Sequence, residues 1–498
     1  MSAKSLMIQG TMSGVGKSLL VAGLCRVLAQ DGVRVAPFKS QNMALNSAIT
    51  RDGKEIGRAQ YMQAEAAGIE PTAAMNPVLL KPTTNTGSQV ILNGAALANM
   101  TAREYFAFRH TLIEPIMDAY RELEREYDVI LIEGAGSPVE LNLKRDDIVN
   151  MGIARMTGSP VLLAGDIDRG GVFAQLVGTL MLLEKDERAY VKATVINKFR
   201  GDPTLFDDGM RILRERTGLP VAGLVPYLSL DLDEEDSACD RLETHGRSGI
   251  VDIAVVRLPK ISNFSDFTAL DAIDGVGVRY VRDARELGMP DLLIIPGTKA
   301  TLADLRWLRN GGLDAAIERL VRAGVPVLGI CGGYQMLGTS IADPYGMESG
   351  GEERGLGLLP VRTVFGRKKC QAQIDGEFGE VCGVLAPLGG ALVHGYQIHM
   401  GRTVRDGGSF LLRLVRPDGQ AVEDGCQVDN VYGTYLHGLF DTADVARGLM
   451  SALLGTRDDV CVHDMHAYRQ SQYDALADGL RASMDLDLVY DIIQRGMH

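Results

Sequence analysis

The chain has 498 residues, of which 46% are hydrophobic and 23% charged, and this mixture excludes wholesale disorder and a single small module. Its formal net charge of -13 argues against broad electrostatic binding of nucleic acid but is compatible with a local pocket for a small anion. The seven cysteines form no CxxC pair, which argues against a zinc ribbon or a dense disulfide framework. Because the sequence shows neither a signal-peptide pattern nor an apolar run of membrane-spanning length, we expect a cytoplasmic protein without membrane contact.

Short apolar strands alternate with helical patterns over residues 1–230, the N-terminal half of the chain. The first strand, SLMIQG, is followed by a glycine-rich loop and by the amphipathic segment LLVAGLCRVLAQ. Further buried strands are predicted at VRVAPFKS and at residues 128–134, 160–167 and 192–199. This alternation predicts an α/β fold in which helices cover both faces of a parallel sheet.

The alternation stops at residues 231–249, an acidic stretch without apolar periodicity that we interpret as a linker. A second α/β series follows over residues 250–445, the C-terminal half, and residues 446–498 form an amphipathic helical tail. The plan is therefore two α/β domains with a helical C-terminal tail. The strands predicted in the C-terminal half lie at residues 251–258, 276–281, 291–297 and 325–333, and near 391–398 and 428–435.

The loop after the first strand reads GTMSGVGKS, a variant of the phosphate-binding loop in which the leading glycine is displaced by one residue. The backbone N–H groups of such a loop and the following helix N-terminus bind phosphates. Lys17 is expected to neutralise the β- and γ-phosphates of ATP, and the hydroxyl of Ser18 to reach Mg²⁺. The predicted ATP-binding residues are Thr11, Gly14, Val15, Gly16, Lys17, Ser18 and, at a later strand end, Asn197.

Other polar residues are predicted at the same rim of the sheet, where parallel strands end and ligands bind. Glu133 ends the apolar strand VILIE and is expected to hold Mg²⁺ together with Ser18. Asp52 is a second metal candidate, although a solvated loop aspartate fits its context equally well. Lys39 and Asn42, at the end of the strand VAPF, are expected to contact a phosphate or an anionic substrate.

The segment VPVLGICGGYQMLG in the C-terminal half places Cys331 between a strand and a helix. The small residues around it allow the sharp turn that exposes a nucleophile, and the helix N-terminus stabilises a thiolate. The backbone N–H groups of Gly297, after another strand, and of Gly332 are predicted to form an oxyanion hole.

A cysteine nucleophile needs a base, and the sequence offers His394, His399 and His437. Spacing alone does not choose among these three histidines. His463 and His466 fit one helix face and are interpreted as surface residues, not as metal ligands.

The G-x-C-x-G-x-Q pattern at Cys331 resembles class I glutamine amidotransferases, in which the cysteine attacks the glutamine amide and a later histidine is the base. That class usually has His-x-Glu, whereas the sequence here is His437-Gly438-Leu439. This departure, with the segment GYQIHMG, is similar to the branch of cobyric acid and cobyrinic acid diamide synthases. The resemblance implies a flavodoxin-like domain with Cys331 and His437 as the catalytic pair, and it leaves the residue that orients His437 unidentified.

The GTxxxxGK[ST] spacing and the later EGAG resemble the dethiobiotin synthetase family, which implies an ATP-dependent synthetase domain. With FKSQNMALNS, DGKEIGRAQ, NPVLLKP and INKFRGD, nearly the whole chain is similar to the cobyric acid synthase family. This resemblance implies ATP, Mg²⁺ and glutamine as ligands. It further implies a corrinoid substrate, adenosylcobyrinic acid a,c-diamide, amidated at its b, d, e and g carboxylates.

Two alternative functions fit the same patterns. A related amidotransferase would act on another polycarboxylate, such as cobyrinic acid itself or a cell-wall lipid. A P-loop switch akin to partitioning ATPases would keep an inactive amidotransferase domain, but the intact Cys331 and His437 argue against it. The oligomeric state is open.

Overall fold

The computed structural model describes residues 2–83, 87–144, 147–232, 249–455 and 464–497. The predicted linker lies almost entirely outside these described residues, as do Cys239, Cys461 and His463. None of the helices in the described ranges combines the length and the hydropathy needed to cross a bilayer.

The strands of the main sheet in the N-terminal half alternate with helices as the sequence pattern predicts, but residues 41–101 add six short strands that the sequence analysis did not predict. Its strands are β1 (Lys4–Gly10), β2 (Val35–Phe38), β3 (Gln41–Met43), β4 (Ser47–Ile49), β5 (Glu55–Gly57), β6 (Val78–Pro82), β7 (Gly87–Leu92), β8 (Ala95–Thr101), β9 (Val129–Glu133), β10 (Val161–Asp166), β11 (Val191–Phe199) and β12 (Val221–Pro226). Its helices are α1 (Lys17–Gln30), α2 (Arg58–Ala66), α3 (Ala102–Phe108), α4 (Ile113–Glu126), α5 (Met151–Thr157), α6 (Val172–Leu182), α7 (Lys185–Arg188) and α8 (Asp207–Thr217).

The main sheet of this half is parallel, with the strand order β12-β11-β10-β1-β9-β2. Its central strands are continuous apolar runs because helices bury both faces. β1 lies between β10 and β9, and Ile8 is in register with Glu133. The phosphate-loop sequence after β1 and the carboxylate that ends β9 therefore meet at one edge of the sheet.

The C-terminal half begins with a second parallel sheet, which confirms the predicted second α/β domain. Its strands are β13 (Val251–Val256), β14 (Val276–Val281), β15 (Leu292–Ile295), β16 (Val327–Ile330), β17 (Ser340–Asp343), β18 (Gly351–Arg354), β19 (Val361–Phe378), β20 (Leu392–Arg405), β21 (Leu412–Val415), β22 (Ala421–Asp424), β23 (Cys426–Val428), β24 (Val431–Thr434) and β25 (Leu436–His437). Its helices are α9 (Thr268–Asp271), α10 (Thr301–Asn310), α11 (Leu313–Arg322), α12 (Gly332–Leu337) and α13 (Ala443–Leu454).

Two sheets form this half. The first has the order β14-β13-β15-β16-β24-β23 and is parallel except for β23. The second is mostly antiparallel and is built around the long strands β19 and β20, with β25 paired to β20. The sequence analysis predicted a strand near 391–398 but not this second sheet.

The tail returns to the N-terminal half. Helices α14 (Met465–Ser483) and α15 (Leu486–Arg495) pack against α1 and the main sheet, whereas α13 packs in the core of the C-terminal half. Leu480 of α14 is fully buried against α1. A Cβ on Gly23 of α1 would lie 2.4 Å from the Cδ1 atom of Leu480. The glycine thus permits the close approach of the two helices.

We expect Leu480→Ala to lower the free energy of unfolding of the N-terminal half by about 3 kcal/mol, because it removes buried methyl groups and leaves a cavity. Urea denaturation followed by circular dichroism measures the change. Leu205→Ala is the matched control, since Leu205 is 84% exposed. Equal losses in the two variants would show that the tail does not contribute to this core.

Candidate active sites

Cys331 lies at a strained turn between β16 and α12. Its φ is 51° and its ψ is -105°, a conformation that non-glycine residues rarely adopt. The turn needs glycines beside it, because a Cβ on Gly333 would lie 1.9 Å from the carbonyl oxygen of Ile295. A Cβ on Gly329 would lie 2.7 Å from the backbone nitrogen of Tyr334. Backbone sterics thus fix the position of the thiol, as the sequence pattern predicts.

His437 is buried next to this turn and is held by a carboxylate. Its Nδ1 lies 2.7 Å from Oδ2 of Asp266, whose Oδ1 accepts the backbone N–H of Gly438 at 3.0 Å. Burial alone lowers the pKa of His437, but the charge and hydrogen bond of Asp266 outweigh it, and interaction with Cys331 adds to them. The net effect raises the pKa to about 10. Asp266 is therefore the carboxylate that contacts and holds the His437 ring, a partner that the sequence analysis did not identify.

The other histidines have different surroundings. His394 is exposed, and its Nδ1 lies 2.6 Å from Oδ1 of Asp375. The ring of His399 stacks on Tyr435 with 3.7 Å between ring centroids, and burial lowers its pKa to about 4. His466 is exposed in the first turn of α14. Of the three candidate bases, His437 is the one whose ring contacts a buried carboxylate, that of Asp266.

The two predicted oxyanion glycines border the cysteine and histidine. A Cβ on Gly297 would lie 3.0 Å from Cε1 of His437, and one on Gly332 would lie 3.1 Å from the backbone nitrogen of Thr298. The structure thus brings both glycines to the Cys331–His437 pair. Their role as N–H donors to an oxyanion stays a prediction.

The glycine-rich loop adopts a compact turn after β1. Gly14 and Gly16 have φ values of 71° and 91°, which explains why glycine occupies both positions. Asn197 packs against this loop, with its Nδ2 donating to the carbonyl oxygen of Val15 at 2.8 Å. Asn197 therefore reaches the loop, and its predicted contact with the adenine edge stays a prediction.

Two side chains of the loop contact neighbouring elements. The Nζ of Lys17 donates to the carbonyl oxygens of Met12 at 3.1 Å and Gly136 at 3.3 Å. The Thr11 hydroxyl donates to Oε1 of Gln175 at 3.1 Å. Since Gly136 follows β9, Lys17 spans from the loop to the neighbouring strand end, where the predicted phosphates would lie.

Glu133 is buried at the end of β9 and accepts hydrogen bonds from several segments. Its Oε1 receives the Ser18 hydroxyl at 2.9 Å and the Lys39 ammonium at 2.8 Å. Its Oε2 receives Nε2 of Gln60 at 3.2 Å and Nε2 of Gln63 at 2.6 Å. Ser18, Lys39 and Glu133 thus meet as predicted, whereas the two glutamines were missed because nothing in the sequence distinguishes them from ordinary helix residues.

The remaining two candidates differ in position. Asn42 is buried and donates to Oε1 of Gln60 at 2.9 Å, which joins it to the groups around Glu133. Asp52 lies in the turn between β4 and β5, where its half-exposed carboxylate contacts Thr50 and, at 3.0 Å, Lys54. The position of Asp52 therefore does not favour the metal role predicted for it, because a turn at the surface orders it without Ser18 or Glu133.

Comparisons with known proteins match both halves. Residues 6–237 match the model of the CobQ/CobB/MinD/ParA nucleotide binding domain, and residues 252–445 match that of the CobB/CobQ-like glutamine amidotransferase domain. Among similar curated proteins, the cobyric acid synthase of Ruminiclostridium cellulolyticum is 52% identical, over 99% of this chain and 98% of its own length.

Two further relatives are also similar over the whole length. The cobyric acid synthase of Citrobacter koseri is 49% identical over 99% of both chains. That of Dehalococcoides mccartyi is 47% identical over 99% of this chain and all of its own. The chain, with a cysteine–histidine–aspartate site in one half and a phosphate loop in the other, belongs to the cobyric acid synthase family.

Proposed function

We propose that this protein is a glutamine-hydrolysing, ATP-dependent amidotransferase that converts adenosylcobyrinic acid a,c-diamide to adenosylcobyric acid. The observation that supports the proposal most directly is the Cys331–His437–Asp266 arrangement in a chain that also contains the loop at Lys17 and Ser18. A free-standing ATPase needs no such nucleophile, and a glutaminase alone needs no phosphate loop. The near-full-length similarity to cobyric acid synthases supports the choice of the corrinoid acceptor.

The glutaminase half reaction follows from the geometry around Cys331. The thiolate attacks the side-chain amide of glutamine, and the N–H groups of Gly297 and Gly332 stabilise the oxyanion that forms. His437 donates its proton to the departing ammonia, and it then takes a proton from the water that hydrolyses the thioester. Asp266 keeps the histidine in the required orientation and stabilises its protonated form.

The synthetase half reaction takes place at the loop of the N-terminal half. Lys17 binds the β- and γ-phosphates of ATP while the γ-phosphoryl group is transferred to an acceptor carboxylate. Ammonia then attacks the acyl phosphate, and amide and phosphate are the products. Phosphorylation is needed because a free carboxylate is a poor electrophile, and a path sheltered from water keeps ammonia unprotonated.

The groups around Glu133 fit a magnesium ion. A buried carboxylate and a hydroxyl at a phosphate loop are hard oxygen donors of the type that Mg²⁺ prefers. Oε1 of Gln63 is buried without a hydrogen-bond partner among the described residues, so it would offer a further oxygen to a hydrated cation at this site. When bound, Mg²⁺ would neutralise charge on the phosphates. We propose that Ser18 and Glu133 hold it and that Lys39 and Asn42 lie toward the acceptor.

Cys331→Ala should abolish transfer of label from amide-¹⁵N glutamine to the corrinoid, because no thioester forms. Mass spectrometry of adenosylcobyrinic acid a,c-diamide after incubation with ATP, Mg²⁺ and labelled glutamine should show stepwise incorporation by the wild type but not by Cys331→Ala. Free ammonia should restore amidation by the variant. The control is Cys382→Ala, at an exposed thiol, and it should behave as the wild type. No amidation of this acceptor by the wild type would contradict the assignment and direct the search to other carboxylates.

Asp266→Asn should lower kcat for glutamine hydrolysis by about 10²–10⁴-fold, since the histidine loses its orienting charge. In the wild type, the charge and hydrogen bond of Asp266 raise the pKa of His437 to about 10, so we expect the basic limb of the rate profile near that pH. Without Asp266, burial dominates and lowers that pKa, and the limb should move toward neutral pH. Asp375→Asn is the matched control, because Asp375 contacts the exposed His394 in the same way. A basic limb unchanged in Asp266→Asn would contradict this role.

Ser18→Ala should raise the KM for Mg·ATP by about 10-fold or more, because it removes a hydroxyl bonded to a charged group at the predicted metal site. Ammonia-driven amidation at varied Mg²⁺ measures this effect without the glutaminase. Ser13→Ala, in the exposed part of the same loop, is the control. An unchanged Mg²⁺ requirement in Ser18→Ala would exclude the serine from the metal site.

A further inference from the structure

The hairpin of β4 and β5, which belongs to the N-terminal half, contacts the glutaminase site of the other half. The backbone N–H of Ser47 donates to Oδ1 of Asn263 at 3.4 Å, and the Tyr396 hydroxyl donates to the carbonyl oxygen of Ser47 at 3.3 Å. Nδ2 of Asn263 donates in turn to the Tyr396 hydroxyl at 3.1 Å. These three residues form a closed triangle across the interface.

Two corners of this triangle touch the catalytic groups directly. The ring of Tyr396 stacks on His437, with 5.3 Å between centroids and 18° between planes. Asn263 has a φ of 54° and begins the turn that presents Asp266, whose N–H donates to its carbonyl oxygen at 3.0 Å. Oδ1 of Asn46 accepts the N–H of Phe264 at 3.3 Å within this turn. Residues of the N-terminal half therefore contact both the side chain that stacks on the base and the turn that carries its carboxylate.

The helix α2, which follows the hairpin of β4 and β5, contacts Glu133. The Ser47 hydroxyl donates to Oε1 of Glu55 at 2.9 Å, and β5 continues without a break into α2. In the first two turns of α2, Gln60 and Gln63 donate to the carboxylate of Glu133. One short stretch of chain, residues 46–63, thus contacts both proposed reaction centres.

We propose that residues 46–63 are a connector through which the ATP site positions the glutaminase dyad, with Tyr396 as the positioning residue on the receiving side. The inference rests on the proposed function. Nucleotide and metal binding at Glu133 changes the hydrogen bonds of Gln60 and Gln63, and α2 transmits that change to Ser47. A shift of Ser47 re-orients Asn263 and Tyr396, and with them Asp266 and His437. Glutamine hydrolysis is then faster when ATP is bound than when the site is empty.

Tyr396→Phe tests the connector, because it keeps the ring stacked on His437 and removes only the hydroxyl that binds Ser47 and Asn263. The measured quantity is the ratio of glutaminase kcat with ATP, Mg²⁺ and acceptor to kcat without them. We expect the wild-type ratio to be at least about 5-fold, and the Tyr396→Phe ratio to fall to near 1. The KM for glutamine should change little.

Tyr473→Phe is the matched control. Its hydroxyl donates at 2.8 Å to Glu65, which also lies on α2, but it connects that helix to the tail instead of to the glutaminase site. The control should keep the wild-type ratio, and both variants should keep ammonia-driven amidation, which shows that they fold. A wild-type ratio of 1, or an unchanged ratio in Tyr396→Phe, would overturn the connector. Amidation of the corrinoid by the wild type is measured alongside the glutaminase ratio. Failure of the proposed function, which is the absence of amidation, is thus distinguished from failure of the connector.

Discussion

Glu55 is fully buried between the two halves of the chain, and its charge must be compensated there. Lys81, from its own half, lies 2.9 Å away, while Lys369 and Gln371 reach it from β19 of the other half. Burial alone would raise the pKa of Glu55, but the two lysines hold it well below its usual range. Removing one partner of such a buried pair costs about 3–5 kcal/mol. This constraint holds β5 of the N-terminal half against β19 of the other half.

The same requirement organises each site. Glu133 is buried at a strand end, so Lys39 and two glutamines must supply hydrogen bonds to it, and this brings three separate segments to the phosphate loop. Asp266 is buried in the other half, and its partners are His437 and the backbone that follows it. Buried carboxylates therefore have two functions here: they supply charge for chemistry, and their need for donors determines which segments meet.

The parts of the sites that follow from local backbone geometry were predictable from the sequence. The phosphate loop and the turn at Cys331 each need glycines at fixed spacings, and those spacings are visible in the sequence. Asp266 was not predictable, because its partner His437 lies 171 residues further along the chain and no local pattern links the two. Asp52 is the opposite case, because its contacts with Thr50 and Lys54 lie within its own turn and a local pattern is enough to explain them.

The second sheet and the destination of the tail were missed for a related reason. β19 contains the polar run GRKKCQAQ, and its burial does not alternate regularly, so periodicity gives no strand signal there. The amphipathic pattern of the tail predicts helices, but an apolar stripe does not specify which surface it covers. Packing against Gly23 of α1 is a tertiary match between two distant segments.

The return of the tail limits how the two halves can move. Leu232, at the start of the predicted linker, shares a core with Tyr473 and Leu476 of α14, so the C-terminal half is attached to the same core at both of its ends. A domain tethered at one end can swing by many ångströms, whereas one tethered at both ends and joined by the buried charge of Glu55 cannot do so cheaply. The proposed connector would then act through small displacements of packed groups. Catalytic geometry is sensitive to shifts of about 1 Å, so displacements of that size at Tyr396 and Asn263 would be sufficient for the proposed connector.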